Sequence, residues 1–320
     1  MGDMQHSGMW VPSAPPTWAR MFRIHLDGWS VLAVVSLLLI ALYLVGVLRL
    51  RRAGVHWPWW RTVSFVAGGV TLFGVTGTWL NGYSMVLFST HMAQHMVLSM
   101  ISPLLLLCGS PVTLALRALP RGKGTAAVPR ALLLDVLHSR FARFISHPLF
   151  TIPLFLASLY GVYFTSIFDD LMSNPGGHQF MLAHFLVTGL LFFGPILGQD
   201  PWPRTAGHGG RMLELVVPMP FHAFFGVGIM MASALITTTF AHPPAGWGVD
   251  PIADQSTAGS IAWSFSELPT VLVMVVVLAA WMGSEDRRAR RMDRAAERSH
   301  DAELEAYNAR LRALAARPDR

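Results

Sequence analysis

Residues 91–100 read HMAQHMVLSM: two imidazoles four positions apart, interleaved with three methionines. They fall inside the run 86–107, which is otherwise apolar. About 20 apolar residues cross a bilayer as a helix. Imidazole is unfavourable in hydrocarbon, so a histidine pair at that depth needs a partner that offsets its burial. At positions i and i+4 the two rings share one helical face, about 6 Å apart along the axis, and can bind one metal ion from a single helix. Met92 and Met96 form the adjacent stripe, with Met100 one turn deeper.

The rest of the chain supports a membrane setting. Of its 320 residues 53% are hydrophobic and only 13% charged, with mean hydropathy +0.46. Soluble proteins carry about 25% charged residues. Residues 284–320 hold ten arginines and eight acidic residues, so the remainder is more apolar still. Residues 1–28 are mixed and proline-rich and lack the basic-then-apolar order of a cleavable leader. The single cysteine, Cys108, excludes an intrachain disulfide and any CxxC redox or thiolate-metal pair. No nucleic-acid module is evident.

Seven apolar runs are expected to span the membrane, near 29–49, 61–81, 86–107, 149–168, 178–198, 212–239 and 259–283. Pro218 and Pro220 predict a kink in the sixth. Lysine and arginine set the orientation. All but Arg20 and Arg23 of the 24 basic residues follow the odd-numbered runs. The fold class expected is therefore all-α: a polytopic membrane protein of seven transmembrane helices, N-terminus outside and C-terminus inside. Three parts follow: an extracytoplasmic Met/His-containing segment (1–28), the membrane domain (29–283) and a charged helical cytoplasmic tail (284–320). Between the third and fourth runs, residues 131–145 read as a short amphipathic helix on the inner surface.

This orientation sorts the histidines. His56, His138, His147, His208 and His300 fall inside, where loop and helix-end roles suffice, and His147 in SHPLF caps or turns the start of the fourth run. His6, His25, His91, His95, His178, His184 and His242 fall in the outer half. His184 and Met181 are three apart and share a face of the fifth run. His178 either folds back in the NPGG turn or has no part. Glu267 lies about two turns into the seventh run, a functional candidate by its depth. His222 lies near the midplane or on the inner half, and Gly226 and Gly228 let another helix approach closely. Met1, Met4, His6 and Met9 make a Met/His-rich start. The alternatives are ordinary: methionine is a flexible filler of membrane helices, and a lone buried histidine is often a hydrogen-bonded packing residue.

Imidazole with thioether suits Cu(I), and imidazole alone suits Cu(II) or zinc. Haem is the rival, needing one axial histidine on each of two facing helices, which His95 and His184 could supply. A pair one turn apart suits a small ion better. A copper transporter or a scaffold without metal is the third alternative.

The stretch HMAQHMVLSMISPLLLLCGSPVTLALRALP (91–120) resembles the seven-helix CtaG family of cytochrome c oxidase assembly factors. HPLF (147–150), FHAFFGVGIM (221–230) and DQSTAGSIAWSFSELP (254–269) are similar to further segments of that family. The resemblance implies a non-enzymatic role in maturing a haem–copper oxidase in the bacterial plasma (inner) membrane, with copper handled for its catalytic subunit. Extracytoplasmic copper chaperones and the lipid bilayer complete the expected partners. It also marks His91, His95, His147, His222, Asp254, Gln255 and Glu267 as characteristic positions, with His184 a looser fit.

The expected metal set is His91, His95, His184, His222, Met92, Met96, Met181, Asp254 and Glu267. Copper, Cu(I) or Cu(II), is collected near the N-terminus and held at His91 and His95. Asp254 supplies a negative entrance in the last outer loop, and Glu267 balances the ion's charge. Ligands must be deprotonated, so loading weakens as pH falls through the histidine range near about 6.5.

Overall fold

The computed structural model describes residues 10–28, 30–122, 124–298 and 302–316. Among these residues all regular structure is helical, and the one extended pairing is an isolated bridge between Ile24 and Thr78. The chain divides into two units, Met1–Val273 and Met274–Arg320.

The first unit opens with the single turn α1 (Trp18–Met21), then α2 (Val31–Arg52), α3 (Trp59–Thr76) and the short α4 (Trp79–Tyr83). The histidine-bearing run is three pieces: α5 (Phe88–Met96), a π-helical turn over Val97–Ile101, and α6 (Ser102–Cys108). Ser110, at φ 50°, breaks the chain before α7 (Pro111–Ala118). The segment expected as one surface helix over 131–145 is two, α8 (Val128–His138) and α9 (Arg140–Ile145). Ser139 is extended (ψ 151°) and its hydroxyl accepts from the Ala142 amide, so it ends one helix and caps the next.

α10 (Pro148–Tyr163) starts where the His147 ring accepts from the Leu149 amide, the capping role expected of that residue. The short α11 (Ile167–Met172) leads into α12 (Pro175–Leu197). Where a kink is expected in the sixth run, the helix is interrupted at Val217 between α13 (His208–Val216) and α14 (Pro218–Met231), because proline cannot continue the hydrogen-bond ladder. α14 stops at Met231, and residues 232–250 are irregular. α15 (Pro251–Arg298) begins eight residues earlier than the seventh apolar run. Its C-terminal part, from Met274, and α16 (Ala302–Ala315) make up the second unit, whose charged residues are exposed where described.

Among the described residues five stretches are long and apolar enough to cross a membrane: Val31–Arg52, Phe88–Ala118, Pro175–Leu197, His208–Met231 and Pro251–Ala295. The other two expected spans are shorter. α10 has 16 residues and α3 has 18, with Arg61 in its first turn. At 1.5 Å per residue they reach about 24 and 27 Å, less than the hydrocarbon thickness of about 30 Å. α2 packs on α3 and α7 along one side only. Its other faces show Leu38, Leu42 and Leu48, each about half exposed or more, the surface a lipid-facing helix requires.

Polar groups join the helices where side chains are small. Ser64 donates to the Leu105 carbonyl at 2.8 Å, and the Thr71 and Ser102 hydroxyls meet at 2.9 Å, fastening α3 to α6. α14 and α15 touch backbone to backbone. A Cβ on Gly226 would stand 2.6 Å from the Trp263 nitrogen, and one on Gly259 would stand 2.7 Å from the Gly226 carbonyl oxygen. The close approach expected of Gly226 is thus made, whereas Gly228 has only the Phe164 ring at 3.8 Å. Gly226→Val is expected to cost about 3 kcal/mol through overpacking, while Gly228→Ala, in a helix interior with room for the methyl group, is expected to stabilise by about 0.5–1 kcal/mol. Thermal unfolding in detergent compares the two.

Candidate functional site

The histidine helix has no local cap. Leu87 occupies the N-cap of α5 and has no acceptor in its side chain. The first amides of a helix need one. Asp254, 166 residues away from Phe88, supplies it. The Phe88 amide donates to its carboxylate at 2.6 Å and the Ser89 amide at 3.3 Å, and the Ser89 hydroxyl donates as well. Asp254 therefore sits in the first turn of α15, not in a loop, with its carboxylate on the end of α5.

From that fixed end, His91 and His95 turn inward. Both are fully buried, and their ring centres are 4.1 Å apart. A third imidazole joins them from the start of α12: His178, also fully buried, 5.8 Å from His91. Asn174 caps α12 by accepting from the Gly177 amide at 2.7 Å. Gly177 has no side chain to keep the Leu171 backbone away, and this draws His178 close to α11.

Hydrogen bonds orient the rings. His91 Nδ1 donates to the Ser84 carbonyl at 3.0 Å. In a neutral imidazole this leaves Nε2 with a free lone pair. His95 Nδ1 meets the Tyr163 hydroxyl at 2.5 Å, and the tautomer that donates to Tyr163 also frees Nε2. The Nε2 atoms of His91 and His95 and both ring nitrogens of His178 are buried without a hydrogen-bond partner. Each such group costs roughly 1–3 kcal/mol.

The surroundings are aromatic and closed. His91 lies 5.1 Å from Phe168 and 5.5 Å from Phe240, and His95 lies 4.2 Å from Phe185. Met92, Met96 and Met181 are buried on the same two helices. Two imidazoles on one tetrahedral ion, with metal–nitrogen bonds of about 2 Å, place their ring centres about 5 Å apart. The two observed separations fall on either side of that value. Among the described residues no three His, Cys, Asp or Glu side chains already surround a common point.

The remaining sequence candidates go elsewhere. His184 is half-buried and its Nε2 bonds the Ser158 hydroxyl at 2.7 Å, on the α10 side of α12. Six helical residues separate it from His178, so the two rings diverge. His222 and Glu267 line a different cavity. Gln255 holds the 232–250 segment, accepting from the Ile236 amide and donating to the Ala234 carbonyl. Met1, Met4, His6 and Met9 lie outside the described residues.

Two features gave little sequence signal. Tyr163 was one aromatic among many at the end of an apolar run. Asp169 was one of two acids in a loop. Its carboxylate accepts from the Thr237, Thr238 and Thr239 hydroxyls and from the Thr238 and Thr239 amides. That clamp sets Phe240 over Phe88 and His91. Burial raises the Asp169 pKa, but these hydrogen bonds outweigh it and hold it at about 2, below the ordinary 3.8.

Buried imidazoles inside a set of apolar helices define a helical membrane protein with a polar interior site. The chain belongs to a family of oxidase assembly proteins: residues 41–284 match the model of the cytochrome c oxidase caa3 assembly factor, Caa3_CtaG. It is 43% identical over 306 residues to uncharacterized proteins of Mycobacterium bovis and Mycobacterium tuberculosis, and 41% identical to one of Mycobacterium leprae. Each match covers 94% of this chain and 46% of the relative, so the chain spans about half the length of these proteins. No solved structure matches.

Asp254→Ala is expected to fray the first turn of α5 and lower stability by about 1–3 kcal/mol, read as a lower unfolding temperature and faster exchange of the Phe88 and Ser89 amides. Asp169 titrates with a depressed pKa, so its clamp is complete above the unfolded value near 3.8 and is lost as pH falls toward about 2. The protection factors of the Thr238 and Thr239 amides, exchange rates corrected for the intrinsic pH dependence, should fall across that window and stay flat between pH 5 and 7.

Proposed function

We propose that the chain takes part in maturing a haem–copper cytochrome c oxidase by holding copper, as Cu(I) or Cu(II), at His91, His95 and His178 and passing it to the oxidase catalytic subunit. The observation that carries this reading is the set of three fully buried imidazoles with unpartnered nitrogens. Such a cluster has a desolvation cost that a bound ion would offset. Imidazole is a ligand for both copper states, and Met92, Met96 and Met181 add the soft donors that favour Cu(I). Tyr163 is the outer partner that orients His95, as second-layer hydrogen bonds do at metal sites.

The chain sits in the bacterial plasma membrane with its N-terminus outside, following the distribution of arginines. The histidine site then lies in the extracytoplasmic half, the side on which copper chaperones would deliver. Asp254 contributes by holding α5. The transfer exchanges metal–ligand bonds and makes or breaks no covalent bond of a substrate, so the role is not enzymatic. The close aromatic packing around His91 and His95 favours a single ion over a planar haem.

His91→Ala with His95→Ala should reduce tightly held copper by at least about 100-fold in affinity, and Tyr163→Phe by about 10–100-fold. Metal analysis of the purified protein and oxidase activity of the host read both variants. A copper content in the double variant equal to that of the wild type, or a Soret band in the wild type, would overturn the assignment.

A further inference from the structure

A second cluster lies away from the three imidazoles. His222 is on α14, only 3% exposed, and its Nε2 has no hydrogen-bond partner. It faces a cavity of about 10 Å³ lined also by Met100, Met219, Phe155, Phe192 and Glu267. Six segments of the first unit meet here: the π-helical turn brings Met100, α10 and α12 bring the phenylalanines, α13 brings Leu215, α14 brings Met219 and His222, and α15 brings Glu267. Met219 and His222 are three apart, so both point from one face of α14.

The donor set is specific. Two thioethers are soft ligands that select Cu(I), and the imidazole nitrogen is a donor that copper also accepts. The volume is close to that of one water-sized sphere. Thr270 lines the cavity as well, and the two thioethers, poor hydrogen-bond acceptors, are matched by a soft ion rather than by water. A monovalent cation needs few ligands, and Glu267 at the same cavity supplies a compensating negative charge. Met92, Met96 and Met100 follow one another at four-residue spacing, all buried, so the methionines run from the first cluster to this one.

We propose that this cavity is a second Cu(I) station, distinct from His91, His95 and His178, with His222, Met100 and Met219 as ligands and Glu267 as the balancing charge. It rests on the copper reading above for the identity of the ion, and on separate residues for its existence.

The test is the number of Cu(I) ions bound per chain under anaerobic reducing conditions with a competing cuprous chelator, measured by metal analysis. The full chain in detergent is compared with His91→Ala/His95→Ala, with His222→Ala/Met100→Leu, and with Met100→Leu/Met219→Leu, which conserves core volume. Two ions in the wild type and one in each variant is the expected result. A single ion that disappears in the first variant and persists in the other two overturns the second station and leaves the proposed function standing. A single ion lost only when His222 and the methionines are changed removes the first site and keeps this one. No bound Cu(I) in the wild type overturns both.

Discussion

The carboxylate of Asp254 on the first turn of α5 is the contact on which the site's geometry depends. A helix that begins inside a protein must satisfy its first amides, and Leu87 offers nothing. The last helix of the first unit provides the acceptor, so the position of α5 and the position of α15 are set by one interaction. The same device recurs at α7, where Asp200 accepts from the Val112 and Thr113 amides and the Thr113 hydroxyl. Both halves of the Phe88–Ala118 stretch are thus capped by remote acids. A carboxylate bonded to helix amides is stabilised by the positive end of the helix dipole as well, which makes an acid tolerable at the edge of an apolar core.

Once α5 is held, the interior becomes a problem of satisfying polar atoms. His91 and His95 each spend one ring nitrogen on a protein partner, Ser84 and Tyr163. What is left over is directional: free nitrogens on neighbouring rings, shielded by Phe168, Phe185 and Phe240. The Asp169 clamp completes the enclosure by fixing the irregular 232–250 segment that carries Phe240. The π-helical turn directly after Met96 adds one residue to the helical repeat, a device often found at functional sites. Within it, Met100 reaches the cavity of His222.

Much of this was legible from residue order alone. Composition and the length of the apolar runs give an all-helical membrane chain, because a lipid environment leaves the backbone no other economical solution. The proline pair at 218 and 220 marks the break in the sixth run, and HPLF marks the cap of α10. The motif stretches 91–120 and 254–269 identify the family. Glycine marks close helix contact at Gly226, though its neighbour Gly228 carries the same signal and makes no such contact.

Local periodicity determined that His91 and His95 share a helical face, since spacing along a helix is a local property. Tertiary structure alone decided which residue comes to meet them. His184 and His178 lie on the same helix at different rotations, and only the packing of α12 against α11 turns His178 toward α5. It also decided that Asp254 is a cap, that His222 has a cavity of its own, and that Tyr163 is the partner of His95. Those roles depend on which residues far apart in the chain are brought within about 3 Å of each other, a distance that hydrogen bonds require and no sequence pattern encodes.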